Sequence, residues 1–510
     1  MKFDHQKMAI TIWCFFALCL IYWCSYFLQI VEKNFSITLF VYRCFGVSML
    51  ASVVFFLVFL PKKISLFISW ILISVSLAML IIDIFCYFVF TSTLSQSMLA
   101  TAIETNPAET KSFLQLYFSP GLCVIIAIVL CCGLFIVKKM KQLFHFYKKV
   151  IVKIFPLYIL LSLFGCVAWG YEILLFNTTK YACKYRNHLI FITPIRDTCF
   201  FINAKNNALI QKEYVKKYRE LFDSQNFVLN AKNGIENIVL ILGESLTRNH
   251  MEIYGYSKAT NPLLKQYISW AKEGKNGEGG GGDIIVFDNI VSPHAHTTLS
   301  LPKVLTYLNY ENEKDIEEVY SYGNMISIFN LAKYTTFWIS NQMDRNNGIV
   351  GTIASFASYN DFVSRYKQTF DDVFFDEKVL ASLDRMSDKK TRKNMYVIHL
   401  MGSHASYGSR YPKNYQFFND SLFGGKQRTI SRYDNSVLYN DYVISEIFQR
   451  FSNSDSIVIY ISDHGEELYE NGDFLGHSDD RISRYMVEIP MLVFCSKIFI
   501  EKHPIIYQHL

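Results

Sequence analysis

Charged residues are scarce in this chain of 510 residues: Asp, Glu, Lys and Arg together make up 18%, whereas 51% is hydrophobic and 16% is aromatic. This composition excludes a disordered chain, because disorder requires few apolar residues and many charges. The length excludes a small scaffold held by disulfides, although the chain has 12 cysteines. The excess of 50 Lys and Arg over 44 Asp and Glu is too small to indicate nucleic-acid binding.

The hydrophobic residues are concentrated in the N-terminal part of the chain. Five apolar stretches there are long enough to cross a membrane as helices, which takes about 20 residues. They lie near 8–31, 37–60, 64–90, 119–137 and 151–176. The first stretch is too long for the apolar region of a cleaved signal peptide, and no small-residue cleavage site follows it. We therefore predict a transmembrane domain of five helices in residues 1–176.

The lysines predict the orientation of these helices, because cytoplasmic loops retain positive charge. Lysines occur at the N-terminus and in the second and fourth connections, at Lys2, Lys7, Lys62, Lys63, Lys138, Lys139, Lys141, Lys148 and Lys149. The alternate connections contain only Lys33 and Lys111. With the N-terminus in the cytoplasm, five crossings place the rest of the chain outside it. We therefore predict a multi-pass protein of the inner membrane with a periplasmic domain.

The sequence after residue 176 reads as a water-soluble protein. Residues 177–235 carry many charges and no strong strand signal, which predicts periplasmic bridging helices and a linker. Short, nearly continuous apolar runs follow at 237–244, 336–340, 395–402, 456–463 and 490–495. Runs of this kind, separated by helix-length stretches, are typical of a parallel sheet covered on both faces. The predicted fold class of residues 236–510 is therefore α/β.

Potential metal ligands follow three of these runs, where the ligands of parallel sheets gather. Glu244 ends the first run, His404 follows the third, and Asp463 and His464 end the fourth; His477 lies a short turn later. A buried carboxylate requires a partner such as a metal ion. Oxygen and nitrogen donors in this mixture suit a divalent cation similar to zinc.

Two adjacent threonines, Thr297 and Thr298, lie beside His294 and His296 in the segment 292–302. A threonine hydroxyl is a poor nucleophile until a metal ion lowers its pKa. Hydroxyls and imidazoles at the start of a helix, together with the ligands above, indicate nucleophilic catalysis at a metal site.

These motifs resemble the phosphoethanolamine transferases of Gram-negative envelopes, a branch of the alkaline phosphatase and sulfatase superfamily. The resemblance extends over nearly the whole chain. It is carried by Gly243-Glu244-Ser245, Tyr254-Gly255-Tyr256, Thr260-Asn261-Pro262, residues 292–302, 399–404 and 433–441, and Asp463-His464-Gly465-Glu466. It implies a sulfatase-like domain with a central, mostly parallel sheet flanked by helices, following the five transmembrane helices.

The resemblance also implies roles for individual residues. Thr297 would be the nucleophile that becomes phosphorylated. The first zinc ion would be held by Glu244, Thr297, Asp463 and His464, and the phosphoryl group or a second zinc ion by His404 and His477. The donor headgroup would contact Thr105 and Glu109.

The chain departs from relatives that have cysteines flanking the nucleophile segment. Pro293 and Lys303 stand at those positions, and His294 and His296 are added. This departure leaves the acceptor open between lipid A, a core sugar and another glycan. Farther from the segment, an oxidising periplasm would permit a disulfide between Cys183 and Cys199.

The implied activity is zinc-dependent transfer of phosphoethanolamine from phosphatidylethanolamine, through a phosphothreonine, to lipopolysaccharide or lipooligosaccharide. The partners would be these two amphiphiles and membrane lipids, and not nucleic acid. One alternative is a phosphoglycerol transferase or another hydrolase of the same superfamily. A sulfatase is disfavoured because Ser292-Pro293-His294 does not supply the C/S-x-P-x-R segment. The other alternative is a non-catalytic membrane protein that binds envelope partners.

Overall fold

The computed structural model describes residues 4–33, 37–90, 92–95, 98, 102, 110, 113, 117, 120–146, 148–178, 234–272, 282–309, 324–342, 349–366, 373–418 and 424–510. The chain divides into two compact units. One contains the N-terminal helices up to residue 178, and the other contains the described residues from 234 to the C-terminus.

The N-terminal unit contains five long helices: α1 (His5–Lys33), α2 (Ile37–Phe55), α3 (Lys62–Phe90), α4 (Pro120–Phe146) and α5 (Lys148–Thr178). Among the described residues, four segments are long and apolar enough to cross a membrane, namely His5–Leu28, Lys62–Phe90, Pro120–Gln142 and Val150–Val167. The remaining apolar helical segment, Cys44–Phe59, is shorter than these four. The predicted count of five is therefore approximately right.

Several buried polar side chains of this unit bond to partners within it, which the absence of water in a membrane interior favours. Asp83 of α3 is fully buried and accepts hydrogen bonds from Ser25 Oγ of α1 at 2.8 Å and from the backbone N–H of Leu94 at 3.2 Å. The indole N–H of Trp13 donates to the carbonyl oxygen of Val137 at 3.0 Å. These bonds link the helices without exposing polar groups.

The second unit is built on a seven-stranded sheet. Its strands are β1 (Asn237–Gly243), β2 (Gly282–Phe287), β3 (Thr335–Ser340), β4 (Tyr359–Phe362), β5 (Asn394–His399), β6 (Ser456–Ser462) and β9 (Met491–Ser496). Their order across the sheet is β2-β9-β6-β1-β5-β3-β4. A separate hairpin is formed by β7 (Glu467–Leu468) and β8 (Leu475–Gly476). Within the seven-stranded sheet, β9 runs antiparallel to both β6 and β2, while the other pairs are parallel. The predicted α/β fold with a mostly parallel sheet is confirmed.

Two strands of the seven-stranded sheet, β2 and β4, were not predicted, and neither were the two short strands of the β7–β8 hairpin. The core of β4 is the polar pair Asn360-Asp361, which gives no apolar run. Strand β2 contains the apolar run 284–287, which was not recognised because it directly follows the glycine-rich stretch; it lies at the edge of the sheet, beside β9.

Helices cover both faces of the sheet. Alternate side chains of each strand point to opposite faces, and both sets are largely apolar, so both faces must be buried. One face buries Phe337 stacked on Tyr396, with ring centroids 4.6 Å apart, and the other buries Trp338 with Val397. The helices are α6 (Pro262–Lys272), α7 (Thr297–Leu305), α8 (Met325–Leu331), α9 (Ile349–Ala354), α10 (Glu377–Arg385), α11 (Gly425–Phe451), α12 (Arg484–Val487), α13 (Lys497–Lys502) and α14 (Pro504–His509). The continuous apolar runs of the sequence follow from this burial on two sides.

Candidate metal centre and active site

The pairing of β1 with β6 brings two predicted ligand segments together. Gly243 lies opposite Ser462 in this parallel pair, so the residues that follow, Glu244 and Asp463, leave the same edge of the sheet. His464 Nε2 lies 3.3 Å from Glu244 Oε1 and 3.5 Å from Asp463 Oδ2. The three side chains are buried, and their donor atoms all lie within 4.8 Å of one another.

The polar atoms of this cluster fit a divalent metal ion. Asp463 Oδ1 accepts the backbone N–H groups of Ser245 at 3.1 Å and of His464 at 2.7 Å. In the described part of the chain, Asp463 Oδ2 is buried and has no hydrogen-bond partner. His464 Nδ1 lies 2.8 Å from the carbonyl oxygen of Gly465, which requires Nδ1 to carry the proton and leaves Nε2 as a lone-pair donor. A buried carboxylate oxygen without a partner, beside a second carboxylate and an imidazole Nε2 that faces both, is a donor set that suits zinc once the imidazole has lost its proton.

The same proximity shifts the pKa values of the three groups. Burial and the charge of Glu244 raise the pKa of Asp463 to about 7. Burial lowers the pKa of His464, but the charges of Asp463 and Glu244 outweigh it and raise the value to about 10. Burial raises the pKa of Glu244, but the hydrogen bond and charge of His464 outweigh it and hold the value below the ordinary range. Without a metal the cluster therefore retains protons, and a metal ion would replace them.

Thr297 is the first residue of helix α7, and its side chain lies at the cluster. Its Oγ1 is 3.1 Å from Glu244 Oε2, 3.3 Å from Glu244 Oε1 and 3.4 Å from His464 Nε2. The structure therefore brings together all four residues predicted to hold the first metal ion.

The start of α7 is held against the strand end that carries Asp463. The hydroxyls of Ser292 and Ser300 lie 2.5 Å and 2.6 Å from the carbonyl oxygen of Asp463. Both serines are buried. Thr297 lies between these serines in sequence, so their two bonds also limit how far Thr297 can move from Asp463.

The backbone after Glu244 has an unusual conformation. Ser245 has a φ of 55°, in the left-handed region that L residues seldom adopt and that costs about 1–2 kcal/mol. In this conformation its N–H reaches Asp463, and its hydroxyl donates to Glu244 Oε1 at 2.9 Å. Its carbonyl oxygen accepts the Tyr433 hydroxyl at 2.7 Å. The strain is thus offset by bonds that orient both carboxylates.

The turn before His404 lies close to the backbone of Glu244. Gly402 has a φ of 54°, and a Cβ atom there would lie 2.5 Å from the Glu244 carbonyl oxygen. The buried carboxylate of Asp376 fixes this turn by accepting the N–H groups of Met401 and Gly402, each at 2.8 Å. The turn from Met401 to His404 therefore packs against the backbone of Glu244, and the same turn carries His404.

Gly402→Ala is expected to lower both stability and activity, because the new methyl group would displace the Glu244 backbone. The matched control is Gly425→Ala: Gly425 has a φ of 56° but no atom within 4 Å of the added Cβ. The control should show the conformational cost alone, about 1–2 kcal/mol. Thermal unfolding and metal content measure both variants. Equal losses in the two proteins would contradict the close approach to Glu244.

A second group of possible ligands consists of His464, Glu466 and His477, whose donor atoms lie within 4.8 Å of one another. Glu466 is buried; its Oε1 accepts the Tyr407 hydroxyl at 2.6 Å, and its Oε2 lies 2.6 Å from His477 Nδ1. Burial raises the pKa of Glu466 to about 7. Glu466 thereby orients His477 with Nε2 free to contact a ligand.

His404 belongs to neither of these two groups among the described residues. Its Nδ1 lies 3.4 Å from Arg410 Nη2, and Arg410 Nε donates to the carbonyl oxygen of His404 at 2.9 Å. Thr105 and Glu109, expected at the donor headgroup, lie outside the described residues, as do Cys183 and Cys199.

Several residues at the site were missed by sequence reasoning. Gln342 Nε2 donates to Glu244 Oε2 at 3.3 Å and to the carbonyl oxygen of Leu400 at 3.0 Å. Asp376 and Tyr407 support the site as described above. These three residues lie in separate connecting segments, far apart in the sequence, so no local sequence motif identifies them. Glu466 did have a signal, because it completes the motif Asp463-His464-Gly465-Glu466.

The segment 433–441 lies on helix α11 and connects several loops to the site. The Tyr433 hydroxyl bonds Ser245, and the Asp434 carboxylate bonds His250 at 2.7 Å and Lys258 at 2.5 Å. Asp441 accepts the first backbone N–H groups of α6, from Leu263 at 2.9 Å and Leu264 at 3.0 Å. The motif therefore has a supporting role, holding the loop after β1 and the start of α6.

Residues 236–508 match the family model described as Sulfatase. The phosphoethanolamine transferase EptC of Escherichia coli K12 is 26% identical over 481 residues, which cover 87% of this chain and 76% of that protein. The phosphoethanolamine transferase CptA of Salmonella typhimurium is 26% identical over 435 residues, covering 82% and 72%.

A solved structure shares the fold. It is the integral membrane protein lipooligosaccharide phosphoethanolamine transferase A from Neisseria meningitidis, which is 21% identical, with a TM-score of 0.59 over 97% of this chain and 89% of that one. These findings confirm the resemblance predicted from the sequence and the prediction of a transferase. The chain belongs to the sulfatase family.

Proposed function

We propose that this protein transfers phosphoethanolamine from phosphatidylethanolamine to lipopolysaccharide or lipooligosaccharide, with Thr297 as the nucleophile and zinc as the cofactor. The observation that carries the proposal is the position of Thr297 Oγ1, within 3.4 Å of both Glu244 and His464. The donor set of Glu244, Asp463 and His464 supports zinc, and the names of the relatives support the transferred group.

The reaction has two displacements at phosphorus. In the first, Thr297 Oγ1 bonds to the phosphorus of the donor, the bond from phosphorus to the glycerol oxygen breaks, and diacylglycerol leaves with a proton. In the second, an acceptor oxygen bonds to the phosphorus, the bond from phosphorus to Thr297 Oγ1 breaks, and the proton of the acceptor group passes to the threonine oxygen. A bound zinc ion would supply charge stabilisation and a lower pKa for the threonine hydroxyl.

The residues of the chain prepare Thr297 for this chemistry. The hydrogen bond to Glu244 directs the hydroxyl proton toward Oε2 and leaves an oxygen lone pair for the phosphorus. Ser292 and Ser300 fix the helix that carries the hydroxyl. Such positioning accounts for much of the rate of an intramolecular displacement.

His404 and His477 are proposed to bind the phosphoryl oxygens or a second zinc ion. Glu466 holds His477 by Nδ1 at 2.6 Å, so Nε2 is the atom that would contact a phosphoryl oxygen. A second ion would therefore draw on His477 Nε2, because His464 Nε2 is already assigned to the first ion and Glu466 holds His477. Thr105 and Glu109 are proposed at the ethanolamine headgroup.

Residues 1–176 are proposed to anchor the protein in the inner membrane, with the N-terminus in the cytoplasm. Residues 177–235 then connect this anchor to the periplasmic catalytic domain, residues 236–510. The apolar helices support this arrangement, and so does the amphiphilic character of both substrates.

The test is to supply labelled phosphatidylethanolamine and phosphatidylglycerol separately to the purified full-length protein with a lipopolysaccharide acceptor. We expect diacylglycerol release and labelled acceptor with phosphatidylethanolamine. A protein treated with a chelator is the control. Release from phosphatidylglycerol instead would identify a phosphoglycerol transferase, and release from neither lipid would contradict the proposed enzyme.

A further inference from the structure

Two of the residues that set this chain apart from relatives with cysteines around the nucleophile contact each other. Lys303 Nζ lies 2.9 Å from His294 Nε2. A lysine ammonium can only donate, so Nε2 accepts and the imidazole proton is on Nδ1. Nδ1 in turn lies 3.4 Å from Asp479 Oδ1. We refer to Lys303, His294 and Asp479 as the lysine–histidine–aspartate cluster.

Asp479 also contacts the backbone just before the nucleophile. Its Oδ1 accepts the N–H of Ala295 at 2.9 Å, two residues ahead of Thr297. The carboxylate is 13% exposed and the His294 imidazole 19%. Because Asp479 follows β8 and His477, the cluster connects the loop that carries His477 to the segment that enters α7.

These contacts complement those of the serines. Ser292 and Ser300 hold the nucleophile segment to the carbonyl oxygen of Asp463. The cluster holds the same segment from the loop after β8. Between the two, the His296 ring lies 4.9 Å from the His477 ring by centroid, so the segment is also packed against the residue proposed to contact the phosphoryl group.

We propose that Asp479 is a positioning residue for Thr297, acting through Ala295 and His294, with Lys303 completing the cluster. The proposal rests on the proposed function, since it concerns the rate at which Thr297 attacks the donor. A displacement of the nucleophile by about 1 Å can cost on the order of 10²-fold in rate. The cluster contains none of the residues proposed to hold the first zinc ion, so its loss should act on kcat and not on metal content.

The two replacements of Asp479 separate its functions. Asp479→Ala removes the acceptor for both Ala295 and His294. Asp479→Asn keeps an oxygen that can accept the Ala295 N–H but removes the negative charge near His294 and Lys303. We therefore expect a loss of about 10- to 100-fold in kcat for alanine and a smaller loss for asparagine.

The experiment uses the full-length protein in detergent and follows the adduct on Thr297 by intact mass, together with steady-state kinetics. For Asp479→Ala we expect a reduced kcat, a KM for phosphatidylethanolamine within about twofold of wild type, and unchanged metal content. Asp479→Ala combined with Lys303→Met should lose less than the product of the two single losses, because the side chains act through one cluster. Asp480→Asn, at the exposed neighbouring residue, is the matched control and should retain wild-type kinetics.

The outcomes are distinguishable. An Asp479→Ala protein that forms the adduct at the wild-type rate, or one that changes KM alone, would overturn the positioning role. Loss of bound metal would also overturn it, by showing a structural effect on the first site. If alanine prevents folding, Asp479→Asn tests the charge alone, and adduct formation at the wild-type rate in that variant would overturn the role of the cluster. A wild-type protein that forms no adduct on Thr297 would instead refute the proposed function.

Discussion

Thr297→Ala is expected to reduce phosphoethanolamine transfer by at least about 10³-fold, equivalent to about 4 kcal/mol in the activation barrier. The variant lacks the oxygen that bonds to phosphorus, so the first displacement cannot begin. Metal should still bind, because Glu244, Asp463 and His464 remain. The measurements are diacylglycerol release, the mass of the intact protein after incubation with donor, and metal content.

Two neighbouring substitutions serve as controls for Thr297→Ala. Thr297→Ser retains a hydroxyl and should form the adduct, more slowly because the smaller side chain is less restricted at χ1. Thr298→Ala should transfer at close to the wild-type rate. An adduct on Thr298, or normal transfer by Thr297→Ala, would show that the nucleophile is assigned to the wrong residue.

Asp463→Asn is expected to weaken metal binding by on the order of 10²-fold or more and to remove most activity. The substitution replaces a buried anionic ligand with a neutral amide, and the site loses the oxygen that has no other partner among the described residues. Metal content after dialysis and titration with zinc measure the effect. Asp473→Asn is the matched control, because Asp473 is 94% exposed and pairs with Lys426. Wild-type affinity in Asp463→Asn would exclude this carboxylate as a ligand.

The pH dependence of metal binding provides a second test of Asp463 as a metal ligand. Metal binding requires His464 and Asp463 to lose protons, whose pKa values without metal are about 10 and about 7. The apparent affinity of the wild-type protein should therefore rise with pH, with a slope of about two protons below pH 7 and about one proton between pH 7 and pH 10. Asp463→Asn should lower the slope below pH 7 to about one. A slope that does not differ between the two proteins would contradict the assignment of the proton to Asp463.

Much of the fold could be predicted, because a strand that is buried on both faces of the sheet has an almost continuous run of apolar residues. The runs that became β1, β3, β5 and β6 are apolar along their whole length, and the structure pairs them in parallel. The run that became β9 looks the same, yet it is antiparallel. Strand direction depends on the path of the chain between strands, which an apolar run does not encode.

The ligand positions could be predicted for a related reason. In a parallel sheet, residues that follow the strands meet at one edge, so Glu244 and Asp463 were expected at the same edge. Their close approach depends on β1 and β6 being neighbours, which the sequence alone did not show. Thr297 follows no strand of the central sheet, and its place at the site came from the family resemblance. The distances now link it to Glu244 and His464.

The supporting residues could not be predicted, because each acts through a partner distant in sequence. Asp376 fixes the turn at Gly402, and Gln342 bonds Glu244 from the far side of β5. Asp479 reaches Ala295 across 184 positions. A single polar residue in a loop is ordinarily solvated, so nothing local distinguishes these from their neighbours.

The contacts of helix α11 have a consequence for the order of folding. Tyr433 bonds the carbonyl oxygen of Ser245 across 188 positions of the chain, so the strained turn after β1 gains its support only when two remote segments have met. Contacts of such long range form slowly, because chain entropy must be overcome first. We therefore expect the proposed metal site to form late in folding, after the C-terminal half of the domain has docked on the N-terminal half.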